Sequence, residues 1–173
     1  MLQKIVLYIS LIFFLMACEE EKKTTTFNFK WTQDQSTELN ERLSREEDIK
    51  IRLFLKQREN WKMKETGSGL RIWIYEDKEG KLAQEYDNVD VKFEIRLLND
   101  SLLYKSEEGE VSSFKVDKSD IETGVMEGVK YLSEGDKAKL IIPSHLGHGL
   151  LGDFRKIPPL EVLLVDMELV KIY

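Results

Sequence analysis

The sequence has one cysteine, Cys18, so it can neither close a disulfide within the chain nor build a cysteine-based zinc site. It has two histidines, His145 and His148, both inside "SHLGHGLLG". Asp153 is the only close third candidate ligand, which makes a metal site the weaker reading of the pair. Neither a Ser/His/Asp constellation nor a His-Glu-x-x-His motif is present. Basic blocks are missing too, and the net charge is −6, so nucleic acid is excluded as an expected partner. No repeat period is visible. What the chain does have is 173 residues at 42% hydrophobic and 34% charged content. That suits one globular domain with a highly charged surface and a tail.

The tail is an N-terminal leader. After "MLQK" comes the apolar run Ile5 to Ala17, 13 residues long. Such a run is too short to span a bilayer comfortably and normal for the core of a signal peptide. It ends in "LMAC", a small residue just before Cys18, and this resembles a bacterial lipoprotein signal. The resemblance implies cleavage after residue 17 and lipidation of Cys18. Several acyl chains hold a protein on a membrane, since each buried CH₂ contributes ~0.8 kcal/mol. A lone thiol is also a liability in an oxidising compartment, and lipidation removes it. Glu20, two residues after the cysteine, resembles an outer-membrane address of Gram-negative envelopes, facing the periplasm or the surface. Residues 18–36 are polar and charged without clear periodicity and read as a flexible tether.

Residues 37–63 follow as a helical extension. Residues 37–62 contain no Gly or Pro. Leu39 and Leu43 stand at i, i+4; Ile49, Leu53 and Trp61 fall near one face, widened by Ile51, Phe54 and Leu55. Ser44 and Glu47 have the spacing of a capping box, which predicts one broken helix or two short ones. Core packing of this face is favoured over a docking surface.

From residue 64 the texture changes to period two. Leu70, Ile72 and Ile74 alternate with Arg71, Trp73 and Tyr75. Val89, Val91, Phe93, Ile95 and Leu97 alternate with Asp90, Lys92, Glu94 and Arg96, the pattern of an antiparallel strand wet on one side. "KAKLIIP" and "EVLLVDMELVKI" read as further strands. Between them Val125, Val129 and Leu132 have helical spacing, and "SEGDK" ends that element in a glycine turn. The expected class is α+β, a curved antiparallel sheet wrapped around a short helix with an N-terminal helical extension.

"GVMEGVKYLSEGDKAKLIIPSHLGHG" and "IPPLEVLLVDMELVKI" resemble the FKBP-type peptidyl-prolyl isomerases. The shared marks are Gly124, Glu127, Gly128, Gly135, Ala138, Pro143, Gly149, Ile157–Pro158–Pro159 and Glu168–Leu169. "ETGSGLRIWI" resembles the family's first strand, so the likeness runs over residues 64–173. A lipid-anchored member with a helical extension looks like the lipoprotein FKBPs of gliding bacteria.

The resemblance implies an aromatic pocket. Its strand tyrosine falls on Phe93. The phenylalanine of its Gly-x-x-Phe-Asp turn falls on Tyr104, and the neighbouring aspartate on Lys105, a reversal of charge. The hydrophobic pair before the helix falls on Ile121 and Glu122, and the floor tryptophan on Val125. The loop tyrosine, whose hydroxyl donates to bound substrate, falls on His148, where an imidazole N–H can donate likewise. The Ile-Ile pair becomes Lys156–Ile157, and the last-strand phenylalanine becomes Val165. Phe114 is expected nearby, and His145 is expected to be an exposed loop residue. Glu122 and Lys105 are expected at the rim, free or paired.

The implied activity is prolyl cis–trans isomerisation on proline-containing polypeptides, assisting the folding of exported or envelope proteins. It needs no cofactor and no acid–base or nucleophilic residue, so the missing motifs are no objection. The replacements at Lys105, Val125 and His148 imply weak activity. The alternative is an FKBP-fold binding module with a worn pocket, used in envelope or motility-machinery assembly.

Overall fold

The computed structural model describes residues 32–173; the leader, Cys18 and most of the tether lie outside the described residues. Helix α1 spans Gln33–Lys56, 24 residues without interruption. It therefore starts inside the segment expected to be tether, and the break expected near Ser44 does not occur. The run has no Gly or Pro to interrupt it, and three i, i+4 ion pairs, Glu41–Arg45, Arg42–Glu46 and Asp48–Arg52, staple its surface. Glu47 is not a capping residue. It lies on the buried face with Ile51 and Phe54. Ile49 and Leu53, expected in the same stripe, are more than half exposed. The geometry explains this, because Ile49 sits two residues from Ile51, about 200° around the helix. Trp61 lies beyond the helix and meets the Phe54 ring edge-on at 5.8 Å.

The strands are β1 (Lys64–Glu65), β2 (Arg71–Glu76), β3 (Asn88–Leu97), β4 (Leu102–Lys105), β5 (Ser112–Lys115), β6 (Lys137–Ile142) and β7 (Leu163–Ile172). They form one seven-stranded antiparallel sheet in the order β1-β2-β6-β7-β3-β4, with β5 also paired to β3. Helix α2 (Thr123–Val129) lies between β5 and β6 in the chain. The α+β class read from the sequence is the one observed.

The period-two pattern sorts the sheet into two faces. Leu140 and Ile142 of β6 and Leu163, Val165, Met167 and Leu169 of β7 join Val125, Met126 and Val129 of α2 in the main core. The alternate residues Ile141 and Leu164, with Val162, pack against Ile51 and Phe54 of α1 in a second cluster. So β6 and β7 are covered on both faces, and α1 packs as core, as favoured from the sequence. Arg71, expected on the polar side of β2, is buried there. Its guanidinium pairs with Asp48 of α1 and, at 3.2 Å, with Glu65. Burying a charge is tolerated where such partners replace water.

Two glycines set the height of α2 above the sheet. A Cβ added at Gly124 would stand 2.5 Å from Ile142 Cγ2, and one at Gly128 would stand 2.6 Å from Leu140 Cδ1. Four residues apart, they share one helical face, and their missing side chains let the helix backbone settle onto β6. The close seat of α2 fixes where Val125 points.

Candidate active site

A cavity of about 540 Å³ opens between α2, β3, β4, β5, β7 and the connection from β6 to β7. Eight of the positions aligned with the family line it, Phe93, Tyr104, Ile121, Glu122, Val125, His148, Ile157 and Val165, together with Phe114, expected nearby; Lys105 and Lys156, aligned in the same way, are not in its lining. Strand register explains the grouping. Phe93 is paired with Met167 and Ile95 with Val165, so adjacent strands present their apolar side chains to one space. Val125 is added from the first turn of α2, and Phe114 from β5 across from Val89. Val125, Phe114, Ile157 and Val165 are buried, while Ile121 stands at the rim, 37% exposed.

The sequence missed Val91, Ile95 and Met167, which also line the cavity. Their signal was present: each stands two residues along a strand from a residue that was named.

The polar groups sit at the mouth and differ from expectation. His148 does not present its Nε2–H to the cavity as a free donor. Nε2 lies 2.7 Å from Glu122 Oε1, and both side chains are about a quarter exposed or less. Glu122 therefore has its partner in His148 rather than in Lys105, which is exposed and outside the cavity lining. His145 is exposed as expected, but it is also tied down, with Nε2 donating to the Ser68 carbonyl at 3.0 Å. The two imidazoles thus serve different partners.

Lys105 stands where the resemblance implies an aspartate beside Tyr104, yet a carboxylate still reaches Tyr104. It comes from Asp153, whose Oδ2 accepts the Tyr104 hydroxyl. Oδ1 accepts backbone N–H groups from Arg155 at 2.9 Å, Lys156 at 2.9 Å and Ile157 at 2.7 Å. Desolvation pushes the Asp153 carboxyl up, but the Tyr104 hydroxyl and the three N–H donors outweigh it. They hold the group well below the usual carboxylate range. The same bond pushes the Tyr104 hydroxyl up, with desolvation adding to it. Lys156, which replaces an isoleucine of the family, donates from Nζ to the Leu103 carbonyl at 2.9 Å and lies 4.8 Å over the Tyr104 ring. The sequence singled out Asp153 only as a third candidate ligand beside the two histidines, not as the partner of Tyr104.

The arrangement is an apolar box with charged groups confined to its opening. Such a space holds an apolar ring and strips water from the bonds beside it.

Residues 79–170 match the family described as FKBP-type peptidyl-prolyl cis-trans isomerase. A probable FKBP-type peptidyl-prolyl cis-trans isomerase FkpA from Neisseria meningitidis is 36% identical over 110 residues, covering 64% of this chain and 40% of the relative. The FkpA of Escherichia coli is 32% identical over 111 residues, with the same coverage of 64% and 40%. The crystal structure of FkpA from Escherichia coli superimposes with a TM-score of 0.65 at 27% identity, covering 80% of this chain and 64% of that one. The chain spans about two fifths of the length of the curated relatives it matches. The matched residues contain α2, β3 to β6, most of β7 and every residue named in the cavity, and the chain belongs to the FKBP-type peptidyl-prolyl cis-trans isomerase family.

Proposed function

We propose that the cavity binds the prolyl residue of a polypeptide and that the protein speeds cis–trans isomerisation of the peptide bond before it. The observation that carries this reading is the convergence of Phe93, Phe114, Val125 and Val165, from three strands and a helix, on one apolar space. Rotation about a peptide bond has a barrier of ~18–20 kcal/mol because twisting breaks the amide resonance. A prolyl bond isomerises unaided in tens of seconds or more. The twisted amide has less charge separation than the planar one, so an apolar, water-poor box favours it. A thousandfold acceleration requires only ~4 kcal/mol off the barrier. No proton transfer, nucleophile or metal enters this chemistry.

Activity is expected to be weak. Val125 stands where a tryptophan closes the floor in the family, and His148 gives its Nε2–H to Glu122 instead of to a bound chain. That hydrogen bond supports a second reading, a binding module that holds prolyl segments without turning them. Replacing Phe93 and Phe114 separately by Ala separates the two. Under the isomerase reading, both substitutions lower kcat/KM for a prolyl peptide. Under the binding reading there is no kcat/KM to lower, and only peptide affinity falls.

The remaining part of the proposal rests on the sequence of the leader. It places the protein on a membrane through Cys18, in the envelope of a Gram-negative bacterium, where exported polypeptides are its substrates. Among the described residues, no helix is long and apolar enough to cross a membrane.

A further inference from the structure

Glu47 of α1 is a carboxylate with 5% of its surface exposed, and no cation pairs with it among the described residues. Its partner is Ser144, 97 positions further along and equally buried. Oε2 accepts the Ser144 backbone N–H at 2.9 Å, and Oε1 accepts the Ser144 hydroxyl. The Ser144 carbonyl in turn accepts the N–H of Gly147 at 3.0 Å and of Gly149 at 2.8 Å. These two residues flank His148 on either side. The His148 ring then meets Glu122 at the cavity mouth. Hydrogen bonds joined by short stretches of backbone run from the inner face of α1 to the polar rim of the pocket.

A buried carboxylate is a costly way to attach a helix. Ile51 and Phe54 already hold α1 to the sheet through Ile141 and Leu164. What an apolar residue at position 47 cannot do is fix both donors of Ser144 at once. Those donors hold the first residue of the tight turn Ser144–Leu146, and the turn leads into the loop that carries His148.

We infer that Glu47 is a positioning residue for the pocket: α1 orients His148 through Ser144, so that the helix outside the isomerase fold governs the His148–Glu122 side of the pocket mouth. The inference rests on the proposed role of the cavity, and its test separates the two.

The test uses the full chain carrying Glu47→Gln, with Ser144→Ala as a second variant that removes only a hydroxyl. Each is made alone and combined with His148→Ala. Two quantities are read: kcat/KM for a prolyl peptide, and the ¹H–¹⁵N spectrum of the His148 imidazole. Glu47→Gln is expected to lower kcat/KM about tenfold in the parent, a loss typical of a small misplacement at a site. In the His148→Ala background the loss is expected to shrink below about twofold, because contacting residues in one network do not add. The low-field Nε2–H signal of His148 bonded to Glu122 is expected to weaken in both variants. Equal losses with and without His148 overturn the inference, and so does an imidazole spectrum that neither variant changes. If Glu47→Gln does not fold, Ser144→Ala alone decides by the same criteria. If the parent shows no catalysis, the isomerase reading falls, and the imidazole spectrum decides for or against Glu47 by itself.

Discussion

Tyr104 on β4 donates its hydroxyl to Asp153, 49 positions later in the chain, across the mouth of the cavity. The bond joins the β3–β4 hairpin to the connection between β6 and β7. Lys156 makes a second tie beside it through the Leu103 carbonyl, at 2.9 Å. The Asp153 side chain thus closes its own turn with one oxygen and reaches over to the hairpin with the other.

Asp153 titrates below its unfolded range, so the unfolded chain binds its proton more readily than the folded one. Stability then rises with pH through this group. The contribution is fully present above the unfolded value of about 3.9 and is lost as pH falls below it. In Asp153→Asn the amide oxygen still accepts N–H groups, but the ionised partner of Tyr104 is gone. Urea unfolding at several pH values is expected to find the variant less stable than the parent at pH 7. The gap is expected to narrow steadily as pH falls from about 5 toward 2. A gap of constant size over that range contradicts the assignment.

This carboxylate also marks where the sequence ceased to be legible. The strands were readable because period two separates Val91, Phe93 and Ile95 from Lys92, Glu94 and Arg96, and a half-buried sheet requires that separation. Phe93, Val125, Ile157 and Val165 of the cavity were readable once the family's pattern aligned them, while Val91, Ile95 and Met167, on the same strand faces, were passed over. The polar rim was not. Asp153 meets Tyr104 across 49 positions, and His148 meets Glu122 from the same long loop; no local periodicity encodes such contacts. Helix α1 was legible as a helix but not in its rotation. Its buried face carries a charged residue, Glu47, beside Ile51 and Phe54, because Ser144 meets the carboxylate there. Arg71 escaped for the same reason, since Asp48 had to be placed first.

The close seat of α2 predicts an order of damage. At Gly124 a new Cβ meets the β-branched Ile142 at 2.5 Å and the Leu146 carbonyl at 3.2 Å. At Gly128 the obstacle is the end of a flexible leucine, Leu140 Cδ1. Gly124→Ala is expected to destabilise the fold by about 1–3 kcal/mol, as overpacking does, and Gly128→Ala by less. Chemical denaturation of the two variants checks the order, and a larger loss at Gly128 contradicts it.

Val125 is expected to limit catalysis. A tryptophan buries some 150–250 Å² and presents a flat wall to a prolyl ring. Only contacts stronger in the twisted amide than in its planar forms raise the rate. Val125→Trp is therefore expected to raise kcat/KM for a prolyl peptide, with the circular dichroism spectrum of the fold retained. Unchanged or lower activity in a folded variant contradicts this reading of the floor.

The anchor is tested at Cys18. Cys18→Ser is expected to move the protein from the detergent-rich to the aqueous phase of a detergent partition and to abolish incorporation of labelled fatty acid. A substituted protein that still partitions with membranes like the parent shows that something other than a lipid on Cys18 retains it.

The central claim is that the cavity turns a prolyl bond rather than merely holding it. The most direct measurement is the cis–trans exchange rate of an Ala-Leu-Pro-Phe-type peptide, read by exchange NMR without a coupled protease as the protein is titrated in. The predicted result is an exchange rate that rises in proportion to protein concentration and falls back when Phe114 is replaced by Ala. Peptide resonances that shift on binding while the exchange rate stays at its uncatalysed value, even at equimolar protein, would contradict the isomerase account and leave a binding module.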